Sequence, residues 1–169
     1  MLLEEINQMI RRDLQGLRRE LLAYSNEADI WQTPAGITNS AGTLALHLVG
    51  NLRCYIGAQL GDSGYVRNRA AEFSRRNVSR KEILAQIDTT IEEVNTALSG
   101  LPLDKLETEY PLEIGGVYMQ TRDWLLHLVS HLAYHLGQVD YHRRLVTGDS
   151  GTVRTISVRE LRTAHKSSG

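Results

Sequence analysis

The sequence predicts an all-α protein, a four-helix bundle carrying a short β-hairpin before its last helix. Four long segments repeat apolar residues every three to four positions, the breaks between them fall at glycine, proline or capping residues, and one or two connections are long. The first segment places Leu3, Ile6, Ile10, Leu14, Leu17 and Leu21 on one stripe, with Glu4, Glu5, Arg11, Arg12, Arg18 and Arg19 elsewhere, and predicts a helix over about residues 2–24. Thr33-Pro34-Ala35-Gly36 breaks the period. Asn39 or Ser40 offers an N-cap before Leu44, Leu48, Leu52, Tyr55 and Ile56 resume it, and this second helix runs to about Leu60. Gly61-Asp62-Ser63-Gly64 closes it, and the connection over 62–78 is long enough to cross a bundle.

Ser79 with Glu82 reads as a capping box, and Ile83, Ile87, Ile91, Val94 and Leu98 form the stripe of a third helix. From Tyr110 to Gln120 the residues alternate about Gly115-Gly116, a hairpin signal because both glycines accept positive φ. The last helix runs from about Thr121 to Val146. Residues 147–169 are polar and are expected to be a tail appended to one domain over 1–146, packing at one bundle end.

Composition narrows the partners. Nineteen Lys and Arg against twenty Asp and Glu leave no summed charge to attract nucleic acid or an anionic membrane surface. No apolar stretch approaches the roughly 20 residues of a membrane span. The lone Cys54 excludes an internal disulfide and reads as a small core residue, and the N-terminus lacks a basic region followed by an apolar run, so a reducing cytoplasm is expected.

Chemistry concentrates in histidines. The last helix carries His127, His131, His135 and His142, the first three spaced by four, so neighbours share a face one turn apart. His47 stands on the second helix at the edge of its apolar stripe. Two histidines from one helix and one from another outline a three-imidazole site whose fourth position is left open, the arrangement of catalytic rather than structural zinc. His127 and His135 are about 12 Å apart along the axis, too far to share an ion, so geometry leaves open 127/131 or 131/135. The plainer reading is a set of partly buried core histidines. Asn51, one turn beyond His47, is expected to orient a ligand through its second nitrogen, and Gln138, three residues after His135, to face the ion's open position or a substrate. Tyr134, His142 and Arg143 are weaker candidates; Asp140 and Arg144 read as a surface pair. Gly137 inside the helix suggests a close crossing. His131-Leu132-Ala133-Tyr134-His135 has zincin spacing but Leu132 where the glutamate base belongs, and no nucleophile elbow, phosphate loop or CxxC pair occurs.

At these residues the chain resembles the DinB-like superfamily, whose members carry one histidine on the second helix and a His-x-x-x-His-x-Gly-Gln run on the last. The likeness covers about residues 1–146, including Gly42 to Leu48 and His131 to Gln138. It implies His47, His131 and His135 as ligands of a divalent metal, Zn or Ni, with His127 a neighbour. It also implies an up-down-down-up bundle and homodimers. Characterised relatives include metal-dependent transferases and isomerases that use low-molecular-weight thiols, so the resemblance implies a small-molecule substrate and such a thiol. The same open position would suit a hydrolase, and a rival class is a non-catalytic dimeric binding bundle. No carboxylate near the histidines is an evident general base, which favours the thiol route. Arg67-Asn68-Arg69 with Glu72-Phe73 resembles part of the pattern of a subset of that superfamily; a solvated connector is expected, with a segment lining the pocket as the alternative.

Overall fold

The structure, a computed structural model, describes residues 2–166 of the 169. Six α-helices occur among the described residues: α1 (Leu2–Leu22), α2 (Ala41–Leu52), α3 (Gln59–Gly61), α4 (Arg69–Ser74), α5 (Arg80–Gly100) and α6 (Thr121–Thr147). The protein is all-α, with no sheet among the described residues. α1 and α2 each pack against α5 and α6, and α4 lies on α2.

Each expected stripe faces the core. Leu3, Ile6, Ile10, Leu14, Leu17 and Leu21 of α1 are all buried, as are Ile83, Ile87, Val94 and Leu98 of α5. α2 is buried along its whole length. The Ser40 hydroxyl caps it, accepting from the Thr43 N–H at 3.1 Å. Ser79 caps α5 through the Glu82 N–H at 3.2 Å, but the Glu82 carboxylate turns to Arg75 instead of completing a reciprocal box.

Three features depart from the expectation. α2 gives way to a π-helical stretch, Arg53–Ala58, before α3 resumes. Such bulges open a helix by one residue and recur at functional sites. The 62–78 connection, expected to be a solvated connector around Arg67–Phe73, holds α4 and buries Glu72. The hairpin is reduced to a turn: Gly115 and Gly116 take φ of 61° and 87°, Ile114 and Val117 exchange two backbone hydrogen bonds, yet only isolated bridges form and no strand. Pro111 explains part of this, because it has no N–H to contribute to a ladder.

The described part of the 147–169 segment, whose last three residues lie outside the described range, is tied down. Arg143, fully buried, donates to Glu20 at 2.5 Å and to the carbonyls of Asp149 and Gly151 at 3.2 and 2.8 Å. Thr155 donates to the other oxygen of Glu20. Arg19 reaches the Arg154 carbonyl and the Glu160 carboxylate. No described helix is long and apolar enough to cross a membrane.

Candidate metal centre

α2 contributes His47, held in place by its fully packed helix, and α6 contributes His131 and His135 one turn apart. The three ring centroids lie 5.2 Å (47 to 131), 5.3 Å (47 to 135) and 4.6 Å (131 to 135) from one another. One nitrogen from each ring falls within 4.8 Å of the others.

Hydrogen bonds decide which nitrogens turn inward. His47 Nδ1–H donates to Glu72 Oε2 at 3.0 Å, and His135 Nδ1–H donates to Gln138 Oε1 at 2.6 Å. An imidazole whose Nδ1 carries the proton presents a lone pair at Nε2. His47 Nε2 faces His131 Nε2 at 3.3 Å. Burial and the neighbouring His135 and His47 push the His131 pKa down to about 4. Burial also lowers that of His135, against the Gln138 hydrogen bond. Both rings are therefore neutral at pH 7, as ligands must be.

These residues fit a cation. With Zn–N bonds of roughly 2.0–2.1 Å, two tetrahedral ligand nitrogens stand about 3.3 Å apart, the separation seen between His47 and His131. Their donor set is all nitrogen, which suits zinc and nickel better than magnesium or calcium. His131 Nδ1 is buried without a partner, so no hydrogen bond orients the ring from the side away from the other histidines.

Glu72 is the residue that sequence reasoning missed. It is buried, and Arg67 grips both its oxygens, Nε to Oε1 at 2.7 Å and Nη2 to Oε2 at 2.9 Å. Burial alone would raise its pKa, but the hydrogen bonds from Arg67 and His47 outweigh that and hold it below the ordinary carboxylate value. Glu72 is a carboxylate beside the histidines, but both its oxygens are engaged by Arg67 and His47, so it is not an evident general base. A signal for it lay in α2: Gly50, one turn after His47, is where a Cβ would collide with the Glu72 carboxylate.

Asn51 lines the same cavity, but the second nitrogen of His47 goes to Glu72 rather than to it, and Asn51 Oδ1 is buried without a partner. His127 stacks on Trp124 with centroids 4.9 Å apart and stands beside the three-histidine group, outside it. His142 is satisfied elsewhere, accepting from the Tyr24 hydroxyl at 2.7 Å and donating to the Gln32 carbonyl at 2.8 Å. Tyr134 is exposed, with its ring 5.1 Å from that of His135. Asp140 and Arg144 form the expected pair near the surface. Gly137 meets no atom within 4 Å of where a Cβ would stand, so no helix crosses there and nothing in the structure explains that glycine. Cys54 is half-buried, its pKa raised by burial, and does not line the cavity.

That cavity, about 390 Å³, is walled by Leu44, Tyr55, Phe73, Trp124 and the polar groups named above. A second one of about 440 Å³ adjoins it at Asn39 and Leu44, with Ile37, Tyr141 and Leu145 as its apolar wall. No curated protein and no solved structure gave a significant match to the chain. Residues 9–139, well over half its length, match the family model of the DinB superfamily, and the chain belongs to that superfamily.

Proposed function

We propose that the protein holds a divalent cation, zinc or nickel, on His47, His131 and His135, and that it catalyses transfer of a low-molecular-weight thiol to an electrophilic small molecule in the cytoplasm. One observation carries this reading: Nδ1 hydrogens of His47 and His135 are committed to Glu72 and Gln138, which leaves Nε2 lone pairs converging with His131. A cation bound there would leave a position open and favour the thiolate form of a thiol.

The chain's own groups take the remaining roles. Glu72, fixed by Arg67, orients His47 and raises its basicity. Gln138 does the same for His135. The thiol route is preferred to hydrolysis because Glu72 is fully engaged as an acceptor and cannot serve as a free base. The thiol comes from outside, since no cysteine lines the cavity. Asn51 faces the substrate. Within this reading the domain over 1–146 is an up-down-down-up four-helix bundle with 147–169 as its extension. It pairs as a homodimer, supported by the exposed Tyr134, Tyr141 and Leu145, which share one face of α6.

Metal content by mass spectrometry tests the centre. Wild type and His142→Ala are expected to retain near-stoichiometric zinc or nickel, and His47→Ala, His131→Ala and His135→Ala to lose it. Turnover of a thiol with a model electrophile, abolished in His135→Ala, tests the reaction. Wild type that takes up no added zinc or nickel would refute the centre.

A further inference from the structure

The cavity beside the histidines is lined by two guanidinium groups, those of Arg67 and Arg69, and by no aspartate or glutamate. Arg67 is spent on Glu72, so that ion pair cancels. Arg69 has no carboxylate partner among the described ion pairs, and its guanidinium lies over the Phe73 ring, 5.1 Å from the centroid. That ring is 5.0 Å from the His47 ring. The Arg69 charge therefore stands within about 10 Å of His47, and Arg69, Phe73 and His47 all line the same cavity. A guanidinium so placed keeps its forked donors for a planar anion.

A second observation points to the same ligand. Asn51 is 6% exposed, lines this cavity, and has its Oδ1 buried without a hydrogen bond. A buried acceptor left unpaired is destabilising, and an O–H or N–H of a bound molecule would remove that cost.

We propose that the substrate entering this cavity is a small organic anion, carrying a carboxylate or phosphate read by Arg69 and an N–H or O–H donor that meets Asn51. This rests on the thiol-transfer reading for its reaction, and on the cavity alone for its binding. In that reading the thiol itself bears the anion: sulfur is directed to the histidines and the charged end to Arg69.

Amide NMR titrations of the full chain, with zinc and without it, decide the matter using 3-mercaptopropionate and its neutral amide, with glycerol phosphate as a third probe. The acid is expected to bind at least about tenfold more tightly than the amide, with shifts at residues 67–73 and around Asn51. Arg69→Gln is expected to bring the acid down to the affinity of the amide, and Arg69→Lys to keep part of the preference. Arg69 is exposed, so these variants are expected to fold. Equal binding of acid and amide by wild type, or a preference that survives in Arg69→Gln, would overturn the proposal. Tighter binding of glycerol phosphate, lost in Arg69→Gln, would support it with phosphate as the anion. Failure of the chain to take up zinc would sink the metal reading separately, because the acid-to-amide ratio is also read in metal-free protein.

Discussion

His131 and His142 sit three turns apart on α6, and the protein treats them in opposite ways. Burial pushes both imidazoles below their ordinary pKa, so both are neutral at pH 7. His142 has each nitrogen matched by the protein, a hydroxyl on one side and a carbonyl on the other. His131 has one nitrogen turned toward another imidazole nitrogen and the other left without a partner. A depressed pKa therefore does not separate a candidate ligand histidine from a structural one. What separates them is whether the chain itself completes the hydrogen bonding of the ring.

Three measurements would break or sharpen this contrast. The largest effect is expected from His142→Ala, which strands the buried Tyr24 hydroxyl and leaves a void; it should cost about 2–4 kcal/mol in chemical denaturation while metal content stays unchanged. Loss of metal in that variant would erase the distinction. The same residue sets a pH signature. Its folded pKa lies below the unfolded value near 6.5, so as the pH falls the unfolded chain takes up a proton first. Stability from this source is complete above about pH 6.5 and is lost below it, and His142→Ala should flatten that acid slope.

Glu72→Gln comes next. It leaves an acceptor for His47 Nδ1–H but removes the charge and strands Arg67, and should weaken zinc binding by about 10–100-fold in a competition assay with a chelator. An unchanged affinity would mean that His47 needs an acceptor at Nδ1 but not its negative charge. The smallest effect is expected from Gln138→Ala. The His135–Gln138 contact is exposed and uncharged, so water can replace the amide, and a loss of less than about tenfold in the same assay is predicted.

Much of the fold was legible because the long stripes of α1 and α5 are periodic and all reach the core. The pair His131 and His135 was legible as spacing, but spacing did not decide against His127; the family resemblance did, and in the structure His127 is exposed and stacks on Trp124 outside the group. Glu72 was hidden for a related reason. It stands 25 residues from His47 on a six-residue helix whose composition reads as a polar loop, and only packing on α2 makes it a core residue. The reduced hairpin shows the converse: the Gly115-Gly116 turn formed as its chemistry dictates, while the strands that would flank it lacked ladder partners.

The Arg143 clasp has a practical bearing on how the molecule can be cut and joined. The family match stops at residue 139 and α6 at Thr147, so either would be a natural place to truncate. Yet two acceptors of a wholly buried guanidinium come from the carbonyls of Asp149 and Gly151, and Thr155 closes over the carboxylate that balances it. A fragment ending at Thr147 would keep His47, His131 and His135 and the Glu20 carboxylate, yet leave donors of the buried Arg143 guanidinium without their carbonyl acceptors, a loss on the order of 1–3 kcal/mol for each one left unpaired. Fusion partners belong beyond Arg162, whose side chain reaches back to Glu4 and Glu5 of α1.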